Sequence, residues 1–362
     1  MAITGKNILA GIRCGKAVSF ENMAVAPLLR SKEKPEGPDY LILREAFEEN
    51  VLRVTETSEN GSVPELSVRN TGRLPVLILD GEELAGAKQN RVVNSSILIP
   101  PETKLIVPVS CTEAGRWEYR SAAFSDSDII MSSNIRAKKS RSVSENLKAS
   151  SSFRSDQGEV WNEIEIEANA YGVQSPTAAM KDTYEKHRDF MNEYTEKFRC
   201  VEGQAGCMVF QNGKPAGVEL LSRPEKYAML HEKILRSYAI SKLRITRDAD
   251  YTDYSHNSEH GQQGKHSNDT DYSVSQKEFE SELSGIMAVD AACFPSVGLG
   301  DDCRLREENI AGSALRYEEE TIHAAVFWLD DDRQKEKERK RRQFHEGVMS
   351  SYRERRDRAT YE

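Results

Sequence analysis

The fold class is decided by residues 64–110, which read PELSVRNTGRLPVLILDGEELAGAKQNRVVNSSILIPPETKLIVPVS. Short runs in this stretch are rich in Leu, Ile and Val and are bounded by Asn, Gly and Pro, a pattern typical of β-strands. The links between the runs are too short for helical crossovers, so neighbouring strands must pair mainly antiparallel. The sequence therefore predicts a largely antiparallel sheet in the N-terminal half.

The middle of the chain is predicted to be mostly helical. Helices are predicted at residues 43–49, 157–170, 176–198 and 223–244, the third of them with Ser175 as its N-cap. By contrast, the Ser-rich and basic stretch from 121 to about 155 has no clear period. We predict a long surface loop there, and loops of this length are usually functional or disordered.

Strands return towards the C-terminus. The pair Asn212-Gly213 lies between two apolar runs and predicts a β-hairpin, and strand-like runs follow in GIMAVDAACF, AGSALRYEE and TIHAAVFWL. The predicted fold class is α+β, with a mainly antiparallel β N-terminal half, a helical middle, strands near the C-terminus and a charged C-terminal helix. We predict one domain over 1–330, a disordered polar insertion at 248–273 within it, and the charged helix over 331–362.

Charge is distributed unevenly along the chain. The net charge at pH 7 is −9, but the tail from Arg333 to Glu362 holds eleven Lys or Arg and six Asp or Glu. The tail thus carries +5, which leaves −14 on the rest of the chain. An acidic body repels phosphate backbones, so we do not expect it to bind nucleic acid. The tail is either a solvated helix or a basic handle for a partner.

Composition also indicates where the protein works. No stretch approaches the roughly 20 apolar residues that a membrane span needs, and the first residues lack the apolar core of a signal peptide. The six cysteines in 362 residues include no C-x-x-C pair and do not read as a disulfide framework. The sequence predicts a cytoplasmic protein without a membrane span.

The densest polar cluster is DGEELAGAKQNRVVN at residues 80–94, directly after an apolar strand. Paired carboxylates suit general acid–base chemistry or a metal, and Lys with Arg suits a phosphate. The candidates are Glu82 and Glu83 as catalytic carboxylates, and Asp80, Lys88, Gln89, Arg91 and Asn94 as ligand-binding residues. The alternative is a tight turn whose charges pair with one another. No metal ligand is assigned, and the cofactor, if any, is unknown.

A second polar cluster follows the strand TKLIVPVS and contains Glu113, Arg116 and Trp117. The guanidinium could hold a phosphate or carboxylate, and the indole could stack on a planar ring. Cys111 has no histidine near it in sequence and His323 lies in an apolar strand, so we interpret both as structural residues. We expect residues 80–94 and 111–117 to line one cavity, because each cluster follows a strand of the same predicted sheet.

These motifs carry a family resemblance. LDGEELAGAKQNRVVNSSILIP, followed by IVPVSCTEAGRW, resembles the ARG and rhodanese-phosphatase-superfamily-associated domain family, in which ARG stands for ADP-ribosylglycohydrolase. DQGEVWNEI, SVGLGDDCR and GSALRYEEETIHAAVF extend the resemblance over residues 16 to 328. The resemblance implies a role in NAD or ADP-ribose metabolism, and it implies no particular reaction or residue role.

Three functions remain open from the sequence. The first is binding or sensing of an ADP-ribose-like or other nucleotide ligand, and we favour it because no catalytic triad or metal-ligand spacing is visible. The second is a hydrolase or transferase on the same ligand class, assisted by a carboxylate and with or without a divalent cation. The third is a non-catalytic scaffold whose polar motifs only cap strands and fix turns.

Overall fold

The structure, a computed structural model, covers most of the chain. It describes residues 3–31, 38–58, 64–116, 121–253 and 272–329, and for 242–253 it describes the backbone alone. Trp117, most of the predicted insertion and the predicted tail helix lie outside these ranges. No helix within them combines the length and the hydropathy needed to cross a membrane.

The described ranges contain eight helices. They are α1 (Gly5–Ile8), α2 (Leu43–Glu48), α3 (Ser133–Ser150), α4 (Gln157–Ala170), α5 (Met180–Lys186), α6 (Arg188–Lys197), α7 (Pro224–Asp253) and α8 (Gln276–Ala288). Most of them lie in the middle of the chain, as the sequence predicts.

The same ranges contain nineteen strands. They are β1 (Ile3–Thr4), β2 (Ile12–Cys14), β3 (Val18–Phe20), β4 (Met23–Arg30), β5 (Leu41–Ile42), β6 (Leu52–Glu56), β7 (Glu65–Asn70), β8 (Val76–Ile78), β9 (Glu82–Gly86), β10 (Arg91–Val93), β11 (Ile97–Ile99), β12 (Thr103–Cys111), β13 (Phe124–Ile130), β14 (Gln204–Gln211), β15 (Lys214–Leu221), β16 (Asp290–Pro295), β17 (Asp301–Arg306), β18 (Ile310–Tyr317) and β19 (Glu320–Trp328).

The strands form three sheets. The largest has ten strands in the order β1-β16-β17-β18-β19-β15-β14-β4-β2, with β3 also paired to β4. A six-stranded sheet has the order β13-β9-β10-β12-β7-β6, and a three-stranded sheet has the order β11-β8-β5. Only β5 and β8 pair in parallel among the described strands; the other pairs are antiparallel. The predicted α+β class with mainly antiparallel strands is confirmed.

The ten-stranded sheet is covered on both faces. Because side chains alternate along a strand, consecutive residues face opposite sides of the sheet. One face packs residues such as Met208 and Val326 against Phe279 of α8. The other face, which we call the inner face, packs residues such as Leu315 and Phe327 in a cluster with helices α3 and α7. The inner face is therefore the face of the sheet that is covered by α3 and α7.

The loop predicted from 121 to about 155 is wrong, because this stretch forms β13 and α3. Helix α3 buries four apolar and five polar residues: Ile135, Ala137, Val143 and Leu147, and Ser133, Arg136, Lys139, Ser140 and Ser144. Since more than half of its buried side chains are polar, the helix lacks the apolar period that the sequence analysis sought. The absence of Gly and Pro between 121 and 157 was the available signal for a helix.

The helix predicted from Pro176 begins only at Met180. Ala179 pairs with Glu113 in an isolated antiparallel bridge, and the Met180 amide donates to the Thr112 carbonyl at 2.9 Å. This segment thus pairs like a short strand with the loop after β12 before the helix starts. The helical part that follows is divided into α5 and α6.

Other predictions hold. Helices α2 and α4 lie within their predicted ranges, and Asn212 and Gly213 form the turn between β14 and β15 with φ values of 51° and 71°. Positive φ at both residues is what the tightest hairpin turn requires. Helix α7 runs past its predicted end to Asp253, so its backbone enters the first residues of the predicted insertion.

Candidate functional site

A dense group of buried charged side chains lies between α3 and the inner face of the ten-stranded sheet. We call it the ionic centre and define it by seven residues: Asp80, Arg136, Lys139, Glu219, Asp302, Arg304 and His323. Each is at most 2% exposed. Desolvating so many ionisable groups is costly unless they pair well, and such clusters are a common feature of functional sites.

Strand pairing places four of these residues on the inner face. Arg304 and Glu219 lie in one row of paired residues that runs across β17, β18, β19 and β15. Asp302 is two residues from Arg304 on β17, and His323 is two residues from Ala325, the member of the row on β19. Since alternate residues of a strand share a face, all four side chains are directed towards α3.

The remaining three residues come from α3 and from a loop. Arg136 and Lys139 are three residues apart on α3, which places them on neighbouring parts of one helix face. Asp80 lies in the loop between β8 and β9 and is followed by Gly81, whose φ is +81°. A Cβ atom at Gly81 would lie 2.8 Å from Cδ of Arg136. Glycine is therefore required at position 81 for two reasons: its φ is positive, and the Arg136 side chain lies too close to leave space for a Cβ atom.

Ion pairs link the helix to the loop and the sheet. Lys139 Nζ donates to Asp80 Oδ1 and, at 3.0 Å, to the carbonyl oxygen of Val93. Arg136 donates to Glu219 through Nη1 at 2.6 Å and Nη2 at 3.4 Å, and its Nε lies 3.8 Å from Asp80 Oδ2. Lys139, Asp80, Arg136 and Glu219 thus form one continuous chain of alternating charge.

The cations keep two of the carboxyl groups ionised. Burial by itself raises the pKa of Asp80, but Lys139 and Arg136 outweigh it, and the pKa lies below its ordinary value. Burial also raises the pKa of Glu219, and Arg136 and His323 outweigh it in the same way. Both side chains are therefore carboxylates at neutral pH.

His323 connects Glu219 with the turn that follows β10. Its Nδ1 lies 2.7 Å from Ser96 Oγ, and its Nε2 lies 3.3 Å from Glu219 Oε2. Ser96 Oγ also accepts a hydrogen bond from the Asp80 amide at 2.9 Å. Both ring nitrogens therefore have partners inside the core, in agreement with a structural role for this histidine.

Three buried donor atoms in and beside the ionic centre have no hydrogen-bond partner among the described residues. Arg304 pairs with Asp302 through Nε and Nη2, at 2.5 and 2.7 Å, and leaves Nη1 unpaired. Arg136 Nε is also unpaired, as is the hydroxyl of Ser140, which lies one helical turn after Arg136. Buried donors are nearly always satisfied in folded proteins, so this grouping needs an explanation.

The predicted cluster at 80–94 divides between two places. Asp80 belongs to the ionic centre, and Glu82 accepts from Lys233 of α7 at 2.7 Å. Glu83, the next residue of β9, points to the opposite side and accepts from the Thr112 hydroxyl at 2.6 Å. Because neighbouring strand residues face opposite ways, Glu82 and Glu83 cannot act on one ligand together.

Glu113 and Arg116 lie in the loop after β12 and are paired internally. Arg116 donates to Glu113 at 2.8 Å, to the carbonyl oxygen of Ala87 at 2.8 Å and to Asn90 Oδ1 at 3.2 Å. Glu113 also accepts from the Thr177 hydroxyl at 2.8 Å. Burial raises the pKa of Glu113, but Arg116 and Thr177 outweigh it and leave the pKa lowered. These bonds to nearby backbone and side chains match the turn-capping alternative.

Three further candidates also have local partners. Gln89 accepts from Arg91 Nη1 at 3.2 Å, and Arg91 Nη2 lies 3.7 Å from Glu56. Asn94 accepts from the Ser110 hydroxyl at 2.7 Å. These contacts fix the strands β6, β10 and β12 relative to one another.

The last two candidates are Lys88, which is half-buried, and Trp117, which lies outside the described residues. The structure thus brings Glu83, Glu113 and Arg116 together near the loop after β12, and it places Asp80 and Glu82 on the other side of β9. Ligand binding by any of these residues stays a prediction.

Other regions offer less for an anionic ligand. A cleft of about 500 Å³ is lined by Gly172, Val173, Gln174, Asp182, Glu185 and Lys186. Two carboxylates face one lysine there, and Lys186 donates to the Gly172 carbonyl. Within the part of the chain that the structure describes, no three His, Cys, Asp or Glu side chains are grouped so as to hold a metal ion.

Sequence reasoning missed most of the ionic centre. Arg136, Lys139 and Ser140 lie in the stretch predicted as a loop, although their spacing of three and four residues is the helical signal that was available. Arg304 lies inside the motif SVGLGDDCR, which the sequence analysis quoted without assigning a role. Its position beside α3 depends on long-range strand pairing.

Comparison with known proteins supports one assignment. Searches of curated proteins and of solved structures find no match. A scan against protein families matches residues 11–327 to the ARG and Rhodanese-Phosphatase-superfamily-associated Protein domain. The matched region contains every residue of the ionic centre and both polar clusters. The chain therefore belongs to the ARG and Rhodanese-Phosphatase-superfamily-associated Protein domain family.

Proposed function

We propose that this chain binds or senses an ADP-ribose-like or other nucleotide ligand, and that the ionic centre holds the ligand's phosphates. The family description, which names association with the ARG and rhodanese-phosphatase groups, supports a place in NAD- or ADP-ribose-linked metabolism. We further propose that this role is carried out in the cytoplasm. The site differs from the one expected from sequence, because Glu113 and Arg116 are occupied by one another and by backbone.

The observation that carries the proposal is a set of three buried donor atoms without a hydrogen-bond partner among the described residues: Arg136 Nε, Ser140 Oγ and Arg304 Nη1. A phosphate offers several strong acceptor oxygens, and the guanidinium fork of arginine matches their geometry. Arg304 acts electrostatically on both Asp80 and Lys139, so its charge lies close to those of α3 and the loop. Two guanidinium groups and one hydroxyl are a suitable set of donors for a diphosphate, and the Lys139 ammonium group adds positive charge beside them.

Charge balance indicates how the ligand is accommodated. Three cations face three carboxylates, so a phosphate must take the place of a carboxylate. Asp302 is the carboxylate that a phosphate would displace most easily, because burial raises its pKa even though Arg304 opposes that effect. When a phosphate binds the Arg304 guanidinium in place of Asp302, the buried Asp302 loses its counter-ion and takes up a proton.

A ligand screen tests the proposal on the full chain. Thermal unfolding is followed with NAD, ADP-ribose, AMP and inorganic phosphate, each with and without a divalent cation. A compound present at 100 times its dissociation constant should add about 2.7 kcal/mol to the free energy of unfolding. If no compound shifts the unfolding temperature, binding is contradicted and the non-catalytic scaffold hypothesis is left.

Two serine variants of α3 then test the site. Ser140→Ala removes an unpaired buried hydroxyl, so the fold should be unaffected or slightly stabilised. Loss of one hydrogen bond to a charged phosphate, worth about 1.5–3 kcal/mol, should weaken binding by about tenfold or more. Ser144→Ala is the control, because the Ser144 hydroxyl bonds to the Ser140 carbonyl at 2.8 Å one turn further along. Equal affinities for the two variants would contradict the site.

A carboxylate-assisted hydrolase or transferase on the same ligand class is the second candidate, and Glu83 is the observation that favours it. Burial raises the pKa of Glu83 to about 7, and its Oε2 has no partner among the described residues. A carboxyl group that exchanges its proton near neutral pH suits general acid–base catalysis. Glu82 suits it less, because Lys233 and the Leu79 amide occupy its two oxygens.

Turnover of ADP-ribose-class compounds by the wild type and by Glu83→Gln decides between binding and catalysis. The enzyme hypothesis expects product from the wild type and at least a hundredfold slower turnover by the variant, the lower range of a general acid–base contribution. Product formation by both proteins at the same rate, or by neither, would contradict a catalytic role for Glu83.

A further inference from the structure

One disulfide bond joins two neighbouring strands near the edge of the ten-stranded sheet. It links Cys293 of β16 to Cys303 of β17, and the two residues are directly opposite each other in the register. The other four cysteines, Cys14, Cys111, Cys200 and Cys207, are not part of a disulfide bond. The bond was not foreseen from sequence, since a spacing of ten residues fits no cysteine motif.

The two sulfur-bearing residues differ in their access to solvent. Cys293 is exposed, whereas Cys303 is 1% exposed and packs in the apolar cluster beneath α8. Among the described strands, only β1 pairs with the outer edge of β16, and it does so at Asp290 and Ala291. A small molecule can therefore approach Cys293 from the open edge and cannot reach Cys303 in the folded chain.

We propose that Cys293–Cys303 is a thiol–disulfide exchange site for a small thiol of the glutathione class, with Cys293 as the residue that carries the mixed disulfide. Exchange proceeds by attack of a thiolate on one accessible sulfur of a disulfide, and exposed disulfides are the labile or regulatory ones. Disulfides of reducing compartments, where they occur, are usually transient or redox-sensing.

The exchange takes place in two steps, each of which forms one S–S bond and breaks another. The thiolate of the small thiol attacks Cys293 Sγ and forms a new S–S bond, the Cys293–Cys303 bond breaks, and the electron pair leaves on Cys303 Sγ. The Cys303 thiolate then takes up a proton, because its apolar surroundings favour the neutral thiol. A second small thiol attacks the mixed disulfide and leaves Cys293 as a thiol. In total, two small thiols are oxidised to their disulfide and one protein disulfide is reduced to two thiols.

The position of the bond connects it to the ionic centre. Cys303 lies between Asp302 and Arg304 on β17, and these neighbours face the inner side of the sheet while Cys303 faces the other side. Reduction removes the covalent tie between β16 and β17 at the strand that positions Arg304. An effect of reduction on ligand affinity follows only if the proposed function is correct, whereas the exchange chemistry does not depend on it.

Peptide mass spectrometry on the full, folded chain tests the exchange. Cys303→Ser leaves Cys293 as an exposed thiol, and glutathione disulfide should convert it to a mixed disulfide at Cys293. Cys293→Ser leaves Cys303 buried, and no adduct should form at Cys303 until urea unfolds the chain. In the wild type, reduced glutathione should open the bond under native conditions, while the buried Cys111 and Cys207 remain unmodified as internal controls.

Three results would overturn the proposal. They are a wild-type bond that opens only when the chain unfolds, a Cys303→Ser protein that forms no adduct at Cys293, and an adduct at Cys303 in folded Cys293→Ser. The measurement contains no nucleotide, so failure of the exchange and failure of nucleotide binding are recorded by separate experiments.

Discussion

Replacing Glu83 with glutamine should change how the stability of the protein depends on pH. Glu83 is fully buried, accepts one hydrogen bond from Thr112, and has no hydrogen-bond partner on Oε2 among the described residues. Burial raises its pKa from an ordinary value of 4.5 to about 7. Glutamine has the same shape and can accept the Thr112 hydrogen bond, but it has no proton to lose.

The sign and size of the effect follow from proton linkage. Because the pKa is higher in the folded state, the folded chain binds this proton more tightly than the unfolded chain does. The resulting stabilisation is fully present below about pH 4.5 and is lost as the pH rises through about 7. Over the whole range it amounts to about 3 kcal/mol, of which about 1 kcal/mol is lost between pH 6 and pH 8.

Urea unfolding at pH 6, 7 and 8 measures this loss. The free energy of unfolding of Glu83→Gln should rise relative to the wild type by about 1 kcal/mol between pH 6 and pH 8. Other titrating groups, such as Glu82 and Asp302, contribute to both proteins and cancel in the difference. Glu113→Gln is the control, because the pKa of Glu113 is lowered and its contribution changes only at more acidic pH. A difference between Glu83→Gln and wild type that stays constant from pH 6 to pH 8 would refute the assigned burial of an uncompensated carboxyl group.

Two further predictions concern the ionic centre. Gly81→Ala should destabilise the chain by about 1–3 kcal/mol, because alanine at φ +81° is strained and its Cβ meets Arg136. Gly285→Ala, on the open face of α8, should stabilise the chain slightly. Urea unfolding of both variants measures these opposite changes in the free energy of unfolding, and equal changes would contradict the close approach of Arg136 to Gly81. When ADP-ribose binds, Asp302 should take up a proton, so the affinity for ADP-ribose should fall as the pH rises. Calorimetry in buffers of different ionisation enthalpy measures this proton uptake. Zero uptake would contradict displacement of Asp302 from Arg304.

The sequence was sufficient for those elements whose local signal agrees with their environment. The Asn212-Gly213 hairpin, helix α4 and the mainly antiparallel character of the sheets follow from turn residues, apolar period and link length. Which strands pair does not follow from link length, because β7 pairs with β12 and not with β8, the next strand in the chain. Helix α3 was missed because most of its buried residues are polar, so burial left no apolar stripe in the sequence.

The predicted site was only partly accessible to sequence reasoning, for two physical reasons. Glu82 and Glu83 were treated as one pair, but β9 is a strand and directs them to opposite faces. Arg304 and Glu219 become neighbours of Arg136 through pairing across β17, β18, β19 and β15. The long-range step in this row is the pairing of β15 with β19, in which Glu219 lies opposite Ala325. Pairing between strands so far apart in the chain leaves no local pattern that one sequence could reveal.

The central claim, that an ADP-ribose-like ligand binds at the ionic centre, is tested most directly by amide hydrogen exchange with and without saturating ADP-ribose. The account predicts slower exchange in α3, at 133–150, and in β17, at 301–306, with the loop residues 112–116 unchanged. Protection confined to 86–94 and 112–116, or no protection anywhere at saturating ADP-ribose, would contradict it.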